Sequence, residues 1–113
     1  MRRELKVRLW HALDRANAIA DLLGARTFEE YTSDQHFRAA LERHLEIIGE
    51  SLSKAVQMEP GLADSITEFA GIIAVRNRLA HGYDALDDET LWKIAHDKVP
   101  RLLAEVRALL PSP

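Results

Sequence analysis

The eight residues Arg76-Asn77-Arg78-Leu79-Ala80-His81-Gly82-Tyr83 set a guanidinium, an amide, an imidazole and a phenol within one short stretch. Arginine and histidine together, with no metal ligands nearby, suit chemistry on a phosphodiester. Arginine supplies a fixed cation with a planar fork of donors for phosphate oxygens. Histidine exchanges a proton near neutral pH and can act as general acid or base. The stretch closes an apolar-periodic segment, which places it at the C-terminal end of a helix. Asn77 and His81 are four apart and share a face. Arg76 lies about 100° round the helix from Asn77 and about 140° from His81. One straight helix therefore does not aim Arg76 and His81 at a single phosphorus, whereas two facing copies can. Gly82 suits the left-handed conformation that ends a helix, with Tyr83 following on the exit loop.

The elements that must hold this stretch read as helices. The first spans Arg3 to Leu23, with Leu5, Leu9, Ala12, Leu13, Ala16, Ile19, Ala20 and Leu23 on one stripe, and Gly24 ends it. Thr27 to Ser33 reads as a connection. Ser33 or Asp34 caps a second helix that runs to about Met58 on the stripe Phe37, Leu41, His44/Leu45, Ile48, Leu52 and Ala55/Val56. Glu59-Pro60-Gly61 breaks the chain. A third helix starts near Asp64, carries Ile66, Phe69, Ala70, Ile73, Asn77 and Ala80, and ends at His81 or Gly82. Asp87 or Asp88 caps a fourth, holding Leu91, Trp92 and Ile94. Pro100 disfavours a helical Val99, so a fifth segment starts there and runs to about Leu110. No useful length alternates with period two, and there is no repeat. The pattern predicts an all-α, up-down bundle of four to five helices, one domain over residues 1–113.

Composition narrows the classes. At 113 residues with 47% hydrophobic content the chain supports one real core. The absence of cysteine rules out disulfides and thiolate metal sites. Neither a secretory signal nor a membrane-length apolar run is legible, which predicts a soluble cytoplasmic protein. A net charge of −3 argues against a protein held on nucleic acid by bulk charge and leaves room for a local basic patch. Eleven of the fifteen basic residues are arginine, the better residue for bidentate phosphate contacts.

Arg-x4-His alone is a weak pattern, and its context makes it specific. Tyr31-Thr32-Ser33-Asp34 leads into Arg38-Ala39-Ala40-Leu41-Glu42-Arg43-His44-Leu45-Glu46-Ile47-Ile48-Gly49-Glu50; then come Ile73-Ala74-Val75-Arg76-Asn77-Arg78-Leu79-Ala80-His81-Gly82-Tyr83, Leu91-Trp92-Lys93-Ile94 and Val99-Pro100-Arg101-Leu102. This order closely resembles the HepT family of HEPN-domain toxins over roughly Leu5 to Leu110. The resemblance implies all-α homodimers whose two Arg-x4-His motifs face each other across a cleft and cut RNA without metal or cofactor. It also implies a neighbouring nucleotidyltransferase antitoxin of the MNT type, which transfers AMP to the tyrosine two residues after the histidine. The matching residues are Arg76 and His81 as catalytic pair, Asn77 beside them, and Tyr83 as the modified residue. Arg78, next to Asn77, joins it as a candidate for binding or orienting substrate. The chain departs from the commonest pattern in having Asp84 after Tyr83 and Phe69, rather than tryptophan, upstream.

The chemistry agrees with that resemblance. RNA carries its own nucleophile, the 2′-hydroxyl, so cleavage needs a proton acceptor or donor and a cation for charge developing on phosphorus. His81 fits the first role and Arg76 the second. Plainer roles stand beside these. Arg76 can pair with Glu42, Glu46 or Glu50, His81 can cap its helix, Asn77 can be a satisfied buried polar residue, and Tyr83 can pack. His44 reads as a core or interface histidine. Trp10 and Trp92 read as bundle packing, and the Glu42, Glu46, Glu50 series as a solvated ridge. No Glu-x-x-His or His-Glu-x-x-His pattern supports a metal site. The leading reading is an endoribonuclease toxin. A non-catalytic HEPN module that binds nucleotide or RNA as adaptor of a nucleotidyltransferase is the alternative, and a purely structural helical dimer the third.

Overall fold

Two long helices form the spine. In the computed structural model, which describes residues 1–82 and 86–111, α1 spans Arg3–Leu23 and α3 spans Gln35–Met58. They run antiparallel: Arg2 Nη2 donates to the Met58 carbonyl (3.3 Å), and Arg15 meets His44 (3.4 Å). Leu5, Leu9, Ala12, Leu13, Ala16, Ile19 and Leu23 of α1 are buried, as are Phe37, Leu41, Leu45, Ile48, Leu52 and Ala55 of α3. These are the expected stripes, apart from Ala20, which is exposed.

The segment expected to be a plain connection contains α2, Phe28–Ser33. Thr27 starts it with a capping box: its hydroxyl accepts from Glu30 N–H (3.2 Å) while the Glu30 carboxylate accepts from Thr27 N–H (3.3 Å). α2 is too short to show a period, which is why periodicity passed over it. It delivers Tyr31 into an aromatic cluster with Phe28, Phe37 and Trp92, at centroid distances of 5.2 Å to Phe37 and 5.6 Å to Trp92. Burial, and then Asp88 and Glu42, push the Tyr31 phenol up to about 12, so it stays protonated. Asp34 then caps α3, accepting from the N–H groups of His36 (2.9 Å) and Phe37 (3.2 Å).

After α3 the chain makes a 3₁₀ helix, Pro60–Ser65, with proline in its first turn. Asp64 falls inside it, so α4 begins later than expected, at Phe69, and runs to His81. Extended Ile66 separates the two, and Glu105 holds the junction by accepting from Thr67 N–H (3.2 Å) and its hydroxyl (2.8 Å). The buried residues of α4 are Ile72 and Val75. Ala70, Asn77 and Ala80, expected on the inner stripe, are exposed. Starting the apolar count at Ile66, which lies outside the helix, rotated the expected stripe.

Asp87 caps α5, Asp88–Lys93, through Thr90 N–H (2.7 Å). α6, Val99–Leu109, follows without a break, because Ile94–Lys98 forms a π turn in which Val99 N–H reaches the Ile94 carbonyl. Val99 is helical (φ −61, ψ −37), contrary to expectation. A widened turn gives the Pro100 ring room against the preceding carbonyls, so the helix continues through it. Six α-helices and no strand occur among the described residues, which makes the domain an all-α bundle. No helix of these residues is long and apolar enough to cross a membrane.

Candidate active site

α4 carries four of the five residues singled out by the sequence. Arg76 is half-buried, while Asn77, Arg78 and His81 are exposed. Tyr83 lies outside the described residues. α4 passes Gly49 of α3 at Ile72 and Arg76 and hands over to α5, whose first residue, Asp88, lies 3.9 Å from Arg38 near the start of α3. It therefore runs back along α3 and delivers His81 towards that end.

The stem of Arg76 is clamped. A Cβ placed on Gly49 would collide with Arg76 Cβ and lie 2.7 Å from its Cγ, so the two helices touch here only because residue 49 has no side chain. Sequence reading assigned Gly49 no role. The available signal was its position in the middle of a 24-residue helix, where glycine costs about 1 kcal/mol against alanine and marks a close approach. The Arg76 Nε is enclosed and has no hydrogen-bond partner among the described residues, while Nη1 donates to Asn77 Oδ1 (3.0 Å). The guanidinium is thus oriented by its neighbour on α4. None of Glu42, Glu46 or Glu50 forms an ion pair with it among the described residues; Glu46 instead pairs with Arg43 (3.3 Å). The three glutamates are half-buried rather than solvated, and burial raises the Glu42 carboxyl above its ordinary value.

His81 is the last residue of α4. Gly82 takes the left-handed conformation (φ 66, ψ 11) and its N–H returns to the Arg78 carbonyl (3.1 Å), closing the helix as its sequence suggested. Because α4 is regular from Arg76 to His81, the two side chains leave it about 140° apart with about 7.5 Å of rise between them. Asn77 and His81 share the exposed face with Ala70 and Ala74, so that face carries small and polar groups. Arg78 is exposed one position on from Asn77, and its charge helps hold the Asp87 carboxyl low, after the hydrogen bonds from Thr90.

Other sequence candidates fall elsewhere. His44 is half-buried against Arg15 in the α1–α3 seam. Trp92 packs in the aromatic cluster as expected, whereas Trp10 is 52% exposed and lies outside the bundle core. Among the described residues no three His, Asp or Glu side chains gather as metal ligands.

The comparison with known proteins converges on one family. The HepT-like ribonuclease profile matches residues 12–109. Two proteins of Methanocaldococcus jannaschii described as candidate RNases are similar: one is 30% identical over 105 residues, covering 93% of this chain and 95% of its own length, the other 25% identical over 114 residues, covering 96% and 89%. A third such protein, from Caldanaerobacter subterraneus subsp. tengcongensis, is 26% identical over 102 residues, 90% of each chain. No solved structure matches at a significant level. With the family profile covering all but the ends of the chain, and with Arg76, Asn77 and His81 set on one regular helix, the protein belongs to the HepT-like ribonuclease family.

Proposed function

We propose that the chain is a metal-independent endoribonuclease, the toxin of a toxin–antitoxin pair, cutting RNA at a site made by two copies. The observation that carries this reading is the regular α4 helix. It sends Arg76 and His81 out about 140° apart, so one copy does not bring both to one phosphorus and a facing copy can. The exposed row Ala70, Ala74, Asn77 and His81 supports it, since small side chains let a second α4 approach closely.

In such a cleft two imidazoles and two guanidinia converge. One His81 takes the proton of the 2′-hydroxyl, whose oxygen attacks the adjacent phosphorus. The bond from phosphorus to the 5′-oxygen breaks, and the second His81 gives that oxygen its proton. The products are a 2′,3′-cyclic phosphate and a 5′-hydroxyl. Arg76 neutralises charge on the equatorial oxygens, held by Asn77 and its clamped stem. Asn77 and Arg78 bind or orient the RNA.

The test is RNA cleavage by purified protein. His81→Ala and Arg76→Ala should each lose about 10²–10⁴-fold in rate with unchanged helical circular dichroism. EDTA should leave the unmodified chain active. Full activity in His81→Ala, or inhibition by chelation, contradicts the mechanism.

The same reading gives Tyr83 the role of modification site for a nucleotidyltransferase antitoxin. An AMP there sets a phosphate against the cation that the RNA phosphate needs, and adenosine against the cleft. Incubation with the neighbouring nucleotidyltransferase and ATP should add AMP mass to the chain and none to Tyr83→Phe. Tyr83→Phe should stay toxic and resist neutralisation. Neutralisation equal to that of the unmodified chain would mean that the antitoxin acts by binding alone. Growth arrest on expression alone separates a toxin from a non-catalytic adaptor, which should be harmless.

A further inference from the structure

The N-terminal half of α1 carries a charge opposite to that of the rest of the chain. Four of the fifteen Lys and Arg lie in residues 1–11, against one of the eighteen Asp and Glu. The segment is therefore +3 and the remainder −6, within a total of −3. Arg2 is engaged with the end of α3, but Arg3, Lys6 and Arg8 form no ion pair among the described residues. Trp10 stands among them, 52% exposed, with Val7 beside it at 41%. Arg3, Lys6 and Val7 precede Trp10 by seven, four and three residues and so share its face. The aromatic contacts of the described residues centre on Trp92 and none includes Trp10. Next to this face Arg3, Glu4, Val7, Arg8, His11 and Met58 line a groove of about 500 Å³.

We propose that this half of α1 is a binding surface for single-stranded RNA, with Trp10 stacked on a base and Arg3 and Lys6, on the same face, on phosphates. A flat indole left in water among cations matches the alternation of base and phosphate along a single strand. A duplex hides the base faces that Trp10 would cover. A membrane surface needs a wider apolar face than Val7 and Trp10 provide between Glu4 and Asp14. Met58 lies nine residues beyond Gly49 on α3, so the groove stands about 13 Å along that helix from the stem of Arg76. The surface therefore grips RNA beyond the cleavage site. It rests on the nuclease reading only in taking this RNA to be the substrate.

The test uses His81→Ala as parent, so that a labelled single-stranded RNA stays intact during anisotropy titration. Trp10→Ala should weaken binding roughly 5- to 150-fold, with Trp10→Phe retaining most of it. Arg3→Gln and Lys6→Gln should each reduce the slope of log affinity against log salt by about 0.7. Unchanged affinity in Trp10→Ala overturns the proposal, as does equal affinity for duplex RNA. So does a loss of subunit association in Trp10→Ala by sedimentation, which would make the face a contact between copies. Equal Trp10-dependent binding to phosphatidylserine vesicles overturns it too. Cleavage by the unmodified chain reports separately on the nuclease reading. A chain that binds through Trp10 and cuts nothing keeps the surface and loses the nuclease; one that cuts RNA with Trp10 irrelevant to binding does the reverse.

Discussion

Arg76 joins two demands that seldom sit together. In the proposed mechanism its charged end meets a phosphate, while its stem must be held firmly enough to aim that end. The absent side chain at Gly49 permits the second demand, and the Asn77 amide serves the first. Gly49→Ala tests the arrangement. The added carbon meets Arg76 Cβ, near the backbone, where rotation of the long side chain gives no relief. The helices must part instead. The expected cost is about 1–3 kcal/mol in urea denaturation, together with a fall in RNA cleavage. Asn77→Ala should leave stability within about 0.5 kcal/mol, since the residue is exposed, while lowering cleavage by freeing the guanidinium. A Gly49→Ala protein of unchanged stability and activity would show that α3 and α4 have slack at their crossing.

At the scale of elements, the α1–α3 seam contains a pH-dependent contact. Arg15 Nη1 can only donate, so its approach to His44 Nδ1 at 3.4 Å requires a neutral ring with a lone pair there. Burial first, and the Arg15 charge second, depress the His44 pKa, with Asp14 opposing them. In the unfolded chain the ring protonates near the ordinary value of about 6.5. As pH falls through that value the unfolded state takes up the proton before the folded state does, so stability declines. The contribution is present above the unfolded pKa and is lost as pH falls through the folded one. Denaturation midpoints at pH 7.5 and 5.5, as round values either side of about 6.5, should differ less in His44→Gln than in the unmodified chain. An equal difference in both would place the acid sensitivity elsewhere.

The same elements show what the sequence made legible. The bounds of α1, the Asp34 and Asp87 caps and the Gly82 terminus follow from side-chain chemistry acting over three or four residues, and they were readable. α2 was not, because six residues are fewer than two helical turns. The π turn was not, because Pro100 argues locally for a break while packing of Val99, Leu102 and Val106 favours a continuous helix. At the site, Arg76, Asn77 and His81 were visible as types at a spacing. The outward rotation of Asn77 and the clamp at Gly49 depend on which helix lies against which, and no spacing within α4 encodes that. The exposure of Trp10 was missed for the same reason.

For the whole molecule, the proposed chemistry makes association a condition of activity. A symmetric homodimer is expected at micromolar concentration by analytical ultracentrifugation, and a monomer would remove the composite site. Mixing sharpens the test. Unmodified chain unfolded and refolded together with an excess of His81→Ala protein should lose cleavage beyond simple dilution, because a mixed pair holds one imidazole where the proposed reaction uses two. Activity that falls only in proportion to dilution, with exchange of subunits verified by mass, would place the acid and the base within one copy.

The contact at Gly49 bears on how activity is read among relatives of this chain. A scan for Arg-x4-His passes any sequence that keeps positions 76 and 81, and says nothing of a glycine 27 residues upstream of Arg76. Yet a relative with alanine or serine at the counterpart of Gly49 would carry its arginine on a helix with no room to seat it. Such a chain would look intact by motif and be impaired in practice. If the proposed mechanism holds, three positions on two helices, rather than two on one, form the unit by which an active member can be told from a silent one.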